Sequence, residues 1–272
     1  MSECAHDKTQ SAVCSPKKTI DKLSKFVGVS GSDKEILQVV KEKTGCSTES
    51  CIYKNKEVIN YLGESEVTGM LKEYFKPKGP AFTTEWLSNY NIDDVLAQFA
   101  KKHKFFYHVH FQMRDFAKKQ LSESEKKDPD LLKYSLNDID FAEKIKEGVR
   151  AFGCVLNTDY SSGAGEHWFC LFGDFRKTPY QIEYFNSAGD SPLDEVQIWL
   201  NRTRHELEKK TGEDVKIIIC RTRHQYDSHS CGPYSLFYII SRLRGVPAEA
   251  FDKSVGGDKR MLQLRKELFI QF

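Results

Sequence analysis

Apolar residues recur at helical spacing from Thr19 to about Phe75: Ile20, Leu23 and Phe26, then Ile36, Val39 and Val40, then Val58 and Leu62, then Met70, Leu71 and Phe75. This period predicts a small helical unit over residues 19–80. Lys76-Pro-Lys-Gly-Pro80 ends it, because two prolines remove backbone donors and Gly79 adds a joint. Residues 1–18 are polar and poor in large apolar groups, which predicts a flexible leader. Beyond the break the pattern predicts a helix over Asp93–Lys101, an aromatic-rich strand over Phe105–Phe111 and a solvated loop over Ser122–Asp130.

From residue 151 the pattern changes to short, β-branched and aromatic runs bounded by turn residues. Strands are expected at Ala151–Leu156, His167–Phe172, Gln181–Asn186 and Val215–Thr222. A helix then begins near Cys231 and is stopped by Gly245 and Pro247. The expected organisation is a helical arm over 19–80 on a core over 81–272.

Charge narrows the function classes. Lys and Arg number 41 against 39 Asp and Glu, without a long basic block, so no nucleic-acid partner is implied. No run has the length and apolarity of a membrane span or secretory signal, which predicts a soluble, intracellular protein. The eight cysteines are scattered through a long chain, and the expected state is mostly reduced thiol, with Cys46 and Cys51 as packing thiols.

Three of the late segments converge on one chemistry. If the strands at 167–172 and 181–186 pair symmetrically about their connection, His167 and Asn186 lie at the same end. An imidazole acting as general base needs its second nitrogen held by an acceptor, which an Asn oxygen supplies; Asp190 is the alternative acceptor. Cys231 falls at a helix start supported by Pro233, with Ser230 as the expected cap, where unpaired amides favour a thiolate. Gln225, six residues before Cys231, can join the Cys231 amide in holding an oxyanion. Trp168 is read as the flat wall of a narrow cleft, with core filling as its plainer role. His224 and His229 are read as surface residues.

The ordered set His167-Trp168, Asn186 and Gln225-x5-Cys231-Gly232 resembles the clan of adenovirus protease and the SUMO-specific proteases. Within it, FGCVLNTDYSSGAGEHW at 152–168, IEYFNSAG at 182–189 and RHQYDSHSCGPYSLFYI at 223–239 are similar to the polyprotein-processing proteases of African swine fever virus and related large DNA viruses. Gly45-Cys-Ser-Thr-Glu-Ser-Cys51 and Tyr90–Asp93 extend the likeness into the arm. The resemblance implies a papain-like α+β core, a central mixed sheet flanked by helices, carrying an N-terminal helical arm. It also implies no metal or cofactor, and cleavage after Gly-Gly in structural precursors at viral assembly sites in the host cytoplasm and in the virion.

Asn186 departs from the Asp usual in SUMO proteases, which favours the viral branch over a deubiquitinase or deSUMOylase acting on ubiquitin-like modifiers. A noncatalytic assembly scaffold is the remaining alternative.

Overall fold

The computed structural model describes residues 2–8, 12–118 and 120–270, and the chain separates into two units. One runs to Phe82 and includes the chain from Lys266 on; the other is Thr83–Arg265.

In the first unit the helical spacing becomes α1 (Lys17–Val27), α2 (Asp33–Thr44), α3 (Glu49–Ile52), α4 (Lys56–Leu62) and α5 (Glu64–Tyr74). A reciprocal Ser32–Glu35 capping box opens α2, and Asn55 caps α4. Ile20, Leu23, Ile36, Val40, Val58 and Met70 bury one shared face.

The leader departs from expectation. Cys4, Ala5, His6, Cys14 and Ser15 are buried. Composition misleads here because polar bonds and a covalent bridge replace apolar burial. Cys4 is disulfide-bonded to Cys14, and Cys46 to Cys51, which also corrects the expectation of packing thiols in the arm. The Glu3 carboxylate accepts from the amides of Glu49 and Ser50, while Glu49 accepts from the amides of Cys14 and Ser15. Met1 and Thr9 to Ser11 lie outside the described residues.

The end of the chain also groups with the arm. Ile270 joins the arm's buried cluster and bridges Lys78, and His6 bonds the Leu268 carbonyl.

The second unit is built on a five-stranded mixed sheet in the order β1 (Phe106–His108), β2 (Ala151–Asn157), β3 (Trp168–Asp174), β4 (Tyr180–Phe185) and β5 (Val215–Cys220). β3 pairs antiparallel with β2 and with β4, while β1 adds parallel to β2 and β5 parallel to β4 at the two edges. The first strand is shorter than expected because the chain leaves the ladder after Val109, and His110 turns its amide to the Lys133 carbonyl.

α6 (Asn89–Lys102) starts four residues before the predicted helix, since a Ser88–Asn91 capping box fixes its first turn. The stretch expected as a charged loop contains the short α7 (Pro129–Leu132), and α8 (Phe141–Lys146) follows.

α9 (Asp194–Thr211) covers one face of the sheet, where Trp199 meets Phe141 and Phe152 edge-on. α10 (Cys231–Leu243) is buried along its whole length and contacts β3, β2 and α6. Its Arg242 reaches Glu183 of β4 at 2.7 and 2.8 Å. α11 (Ala248–Phe251) and α12 (Gly257–Leu268) complete the chain.

Candidate active site

The antiparallel pairing of β3 with β4 brings His167 and Asn186 together. The register sets Cys170 opposite Phe185, so Asn186 falls one diagonal step from His167 rather than straight across from it. The side chains still meet, with His167 Nε2 2.8 Å from Asn186 Oδ1.

The protonation of this pair follows from the neighbouring donors. Asn186 Oδ1 also accepts from the Ala188 amide at 2.9 Å, while Asn186 Nδ2 donates to the Tyr184 hydroxyl at 3.2 Å. An amide hydrogen at Ala188 requires an oxygen there, so His167 Nε2 must carry the proton it donates. In the neutral ring this leaves Nδ1 as the nitrogen with the free lone pair, the one that can accept a proton.

The turn after Asn186 is fixed by Gly189 at φ 81°, where a Cβ would come within 3.0 Å of the Arg221 carbonyl. The imidazole is bonded to Asn186 rather than to Asp190, the alternative acceptor; Asp174 is bound to Arg176 and Arg242.

Cys231 is the first residue of α10 and is 3% exposed. Burial pushes its thiol up from the ordinary value, opposed by the backbone amides of Trp168, Gly232 and Cys231 itself. Burial and the helix-start amides thus act on this sulfur in opposite senses. The contact with the Trp168 amide sets the sulfur beside the residue that follows His167.

Ser230 does not cap the helix. Its hydroxyl donates to Asp227 Oδ2 at 2.6 Å, and its own amide donates to Asp227 Oδ1 at 2.9 Å. The first amides of α10 are thereby left to the sulfur and to whatever binds it.

Gln225 is buried beside the Asn186 turn. Its Oε1 accepts from Ser187 Oγ at 2.7 Å, and its Nε2 donates to the Asp227 carbonyl at 2.9 Å with a longer 3.3 Å contact to Asp227 Oδ1. A substrate oxygen would compete with that longer contact. Trp168 is 7% exposed, with its indole N–H donated to the Leu87 carbonyl at 3.0 Å.

Several organising residues carry no local sequence signal. Leu87 also packs on Gly232, where a Cβ would lie 3.0 Å from the Leu87 Cβ. Trp86 donates to the Ser228 carbonyl at 2.8 Å, and buried Arg265 donates to the carbonyls of Glu85 and His229. Asp227 was findable, because Asp followed by Ser-His-Ser is an Asx-turn pattern. Burial would push its carboxyl up, but hydrogen bonds from Ser230 and His229, with the His229 charge, hold it below the ordinary range. His224 is more buried than a surface reading implies, and its ring sits 3.0 Å from Asp252.

A buried cysteine at an uncapped helix start, a histidine held by an asparagine one residue before the Trp168 amide that meets the sulfur, and a mixed sheet whose β3 follows that histidine define a papain-like α+β cysteine peptidase. The chain is 35% identical over 273 residues to cysteine proteases from two isolates of African swine fever virus, one of them also named a SUMO-1 cysteine protease. The match covers 98% of this chain and 95% of each relative. A crystal structure of the African swine fever virus protease superposes with a TM-score of 0.82 at 33% identity, covering 100% of this chain and 96% of that one. The chain belongs to this family of cysteine proteases. No family model matches it.

Among the described residues, no helix is long and apolar enough to cross a membrane.

Proposed function

We infer that this cysteine protease is an endopeptidase that cleaves viral structural polyprotein precursors after Gly-Gly during virion maturation, in the host cytoplasm and in the virion. The observation that carries the assignment of roles is the His167–Asn186 bond, which leaves Nδ1 free to act as a base one residue before the Trp168 amide that meets the Cys231 sulfur.

His167 Nδ1 takes the proton of Cys231 as its sulfur attacks the scissile carbonyl carbon. The carbonyl oxygen becomes an oxyanion, received by the Cys231 amide and by Gln225. Collapse of the tetrahedral intermediate breaks the C–N bond, and imidazolium protonates the leaving amine. Water, deprotonated by the same imidazole, then hydrolyses the thioester.

Asn186 orients the base throughout. Trp168, held by Leu87, lines the acyl side of the cleft, and a flat ring there leaves room for residues without side chains. The family supports protein substrates; a viral precursor is favoured by the neutral orienter Asn186.

The test is cleavage of two substrates by the full chain, a structural precursor bearing Gly-Gly-Xaa and a ubiquitin-like modifier fused at its C-terminal Gly-Gly, mapped by mass spectrometry. Precursor cleavage after Gly-Gly is the expected result. Cleavage of the modifier fusion alone would move the protein to deconjugation. Gln225→Ala is expected to lower turnover about a hundredfold or more if its amide receives the oxyanion; an unchanged rate would reduce Gln225 to a tie between the Ser187 and Asp227 segments.

A further inference from the structure

Away from Cys231, a second group of chemically capable side chains converges between α6 and the end of β1. Asp93 projects from α6, and His108 and His110 stand two residues apart on extended chain, a spacing that puts both rings on one side. His108 Nε2 is 3.0 Å from Asp93 Oδ1, and His110 Nδ1 is 2.8 Å from Asp93 Oδ2. All three ligand atoms lie within 4.8 Å of one another. We propose that Asp93, His108 and His110 bind a divalent transition-metal cation of the zinc class.

The geometry is close to what such an ion needs. Bonds of about 2.0–2.2 Å from a carboxylate oxygen and two imidazole nitrogens place the three donor atoms about 3–4 Å apart around a tetrahedral ion. The observed donor atoms, all within 4.8 Å of one another, stand close to that spacing. Two imidazoles with one carboxylate form a borderline donor set that suits zinc over calcium or magnesium, which take oxygen ligands.

The surroundings hold the donors in place. The Phe111 amide donates to Asp93 Oδ1 at 3.0 Å, orienting the carboxylate. The His110 ring stacks on Tyr134 at 4.0 Å. The backbone of His110 is pinned on both sides, its amide on the Lys133 carbonyl and its carbonyl under Gln112 Nε2 and the Cys154 thiol. The His108 side chain is 6% exposed while that of His110 is 23% exposed, so the cluster has a buried side and a side open to a water ligand.

A bound ion would do more than satisfy these groups. It would tie α6 to the segment carrying Phe111, whose ring meets Trp168 edge-on at 6.4 Å. The wall beside His167 would be stiffened without any ligand touching the reacting atoms. This inference departs from the metal-free character that the family resemblance implied, and it does not depend on which substrate is cleaved.

The experiment uses full-length Cys231→Ser protein, so that the catalytic thiol is no competing ligand, stripped with chelator and titrated with Zn²⁺ by calorimetry and with Co²⁺ by visible absorption. One ion per chain is expected, with a rise in Tm on Zn²⁺ addition and Co²⁺ bands lacking strong sulfur charge transfer. Asp93→Asn and His110→Ala are each expected to weaken binding about a hundredfold or more, since loss of even an outer partner of a ligand costs about 10–100-fold. Absence of saturable one-to-one binding, or binding unchanged in both variants, overturns the proposal. If the variants fail to fold, X-ray absorption on the zinc-loaded parent decides: two imidazole nitrogens and an oxygen support the site, and sulfur in the shell refutes it.

Discussion

The arm and the peptidase core carry four cysteines each and use them in opposite ways. In the arm all four are joined, Cys4 to Cys14 and Cys46 to Cys51, and two of them hold a polar leader that has little apolar surface to bury. In the core all four are thiols.

Cys154 and Cys170 lie inside the sheet, where burial raises their pKa well above the ordinary value and nearby charges raise it further. Cys220 is pushed up to about 11, chiefly by burial. Cys231 feels the same burial, but three backbone amides pull against it. Residue type is common to all eight; a second cysteine within reach joins the four of the arm, apolar burial surrounds the sheet thiols, and backbone amides single out Cys231.

The sharpest break of this comparison is substitution in the core. Cys231→Ser should lower peptide hydrolysis on the order of 10⁴-fold or more with little change in Tm, because the nucleophile is lost and the shape kept. Cys170→Ser should do the reverse, with near-normal turnover per folded molecule and a loss of about 1–3 kcal/mol from a buried hydroxyl without a partner. Interchanged outcomes would move the nucleophile from the start of α10 to β3.

The next largest effect concerns what replaces covalent staples in the core. Arg242→Met leaves the fully buried Glu183 carboxylate without its guanidinium and should cost about 3–5 kcal/mol in denaturant melts. Reduction of the wild-type protein should leave that core transition unmoved.

In the arm, a Cys4→Ser, Cys14→Ser double variant should lose about 2–3 kcal/mol of local stability, read as faster amide exchange around Glu49 and Ser50. Unchanged exchange would assign the leader's order to Glu3 and Glu49 alone.

The smallest effect separates Cys231 from its fellow thiols by pH. A raised pKa means that the thiol persists to higher pH and the thiolate grows as pH rises, so alkylation of Cys231 should still be increasing above about pH 8.5, the ordinary thiol value. The three sheet thiols should label far more slowly at every pH. A plateau already reached near about pH 6 would reveal a preformed ion pair with His167.

Much of the site was legible because strand pairing is a local rule. The runs ending at His167 and Asn186 are separated by a short connection, and antiparallel pairing carries their ends together even though the register shifts by two residues. The start of α10 was equally readable from Pro233 and the apolar run behind it.

Legibility failed where distant chain supplies the partner. Leu87 supports Trp168 across 81 residues and Trp86 reaches Ser228 across 142, and neither leaves a mark in the local pattern. Ser230 looked like a cap because cap preference is local, yet its hydroxyl is turned to donate to the Asp227 carboxylate and accepts from none of the helix amides. The leader failed for a different reason: apolar composition measures one source of order, and Cys4, Glu3 and Glu49 provide another.

The outer strand β5 reads Val-Lys-Ile-Ile-Ile-Cys and ends the sheet order, with Lys216 as its single charge. Strands of this composition at a sheet edge template pairing with other chains, and one lysine is the usual guard. Handling of the protein at high concentration will therefore hinge on Lys216. Its replacement by an apolar residue is a recipe for precipitate even if catalysis is untouched, whereas a second charge at Ile218 would make the protein easier to concentrate.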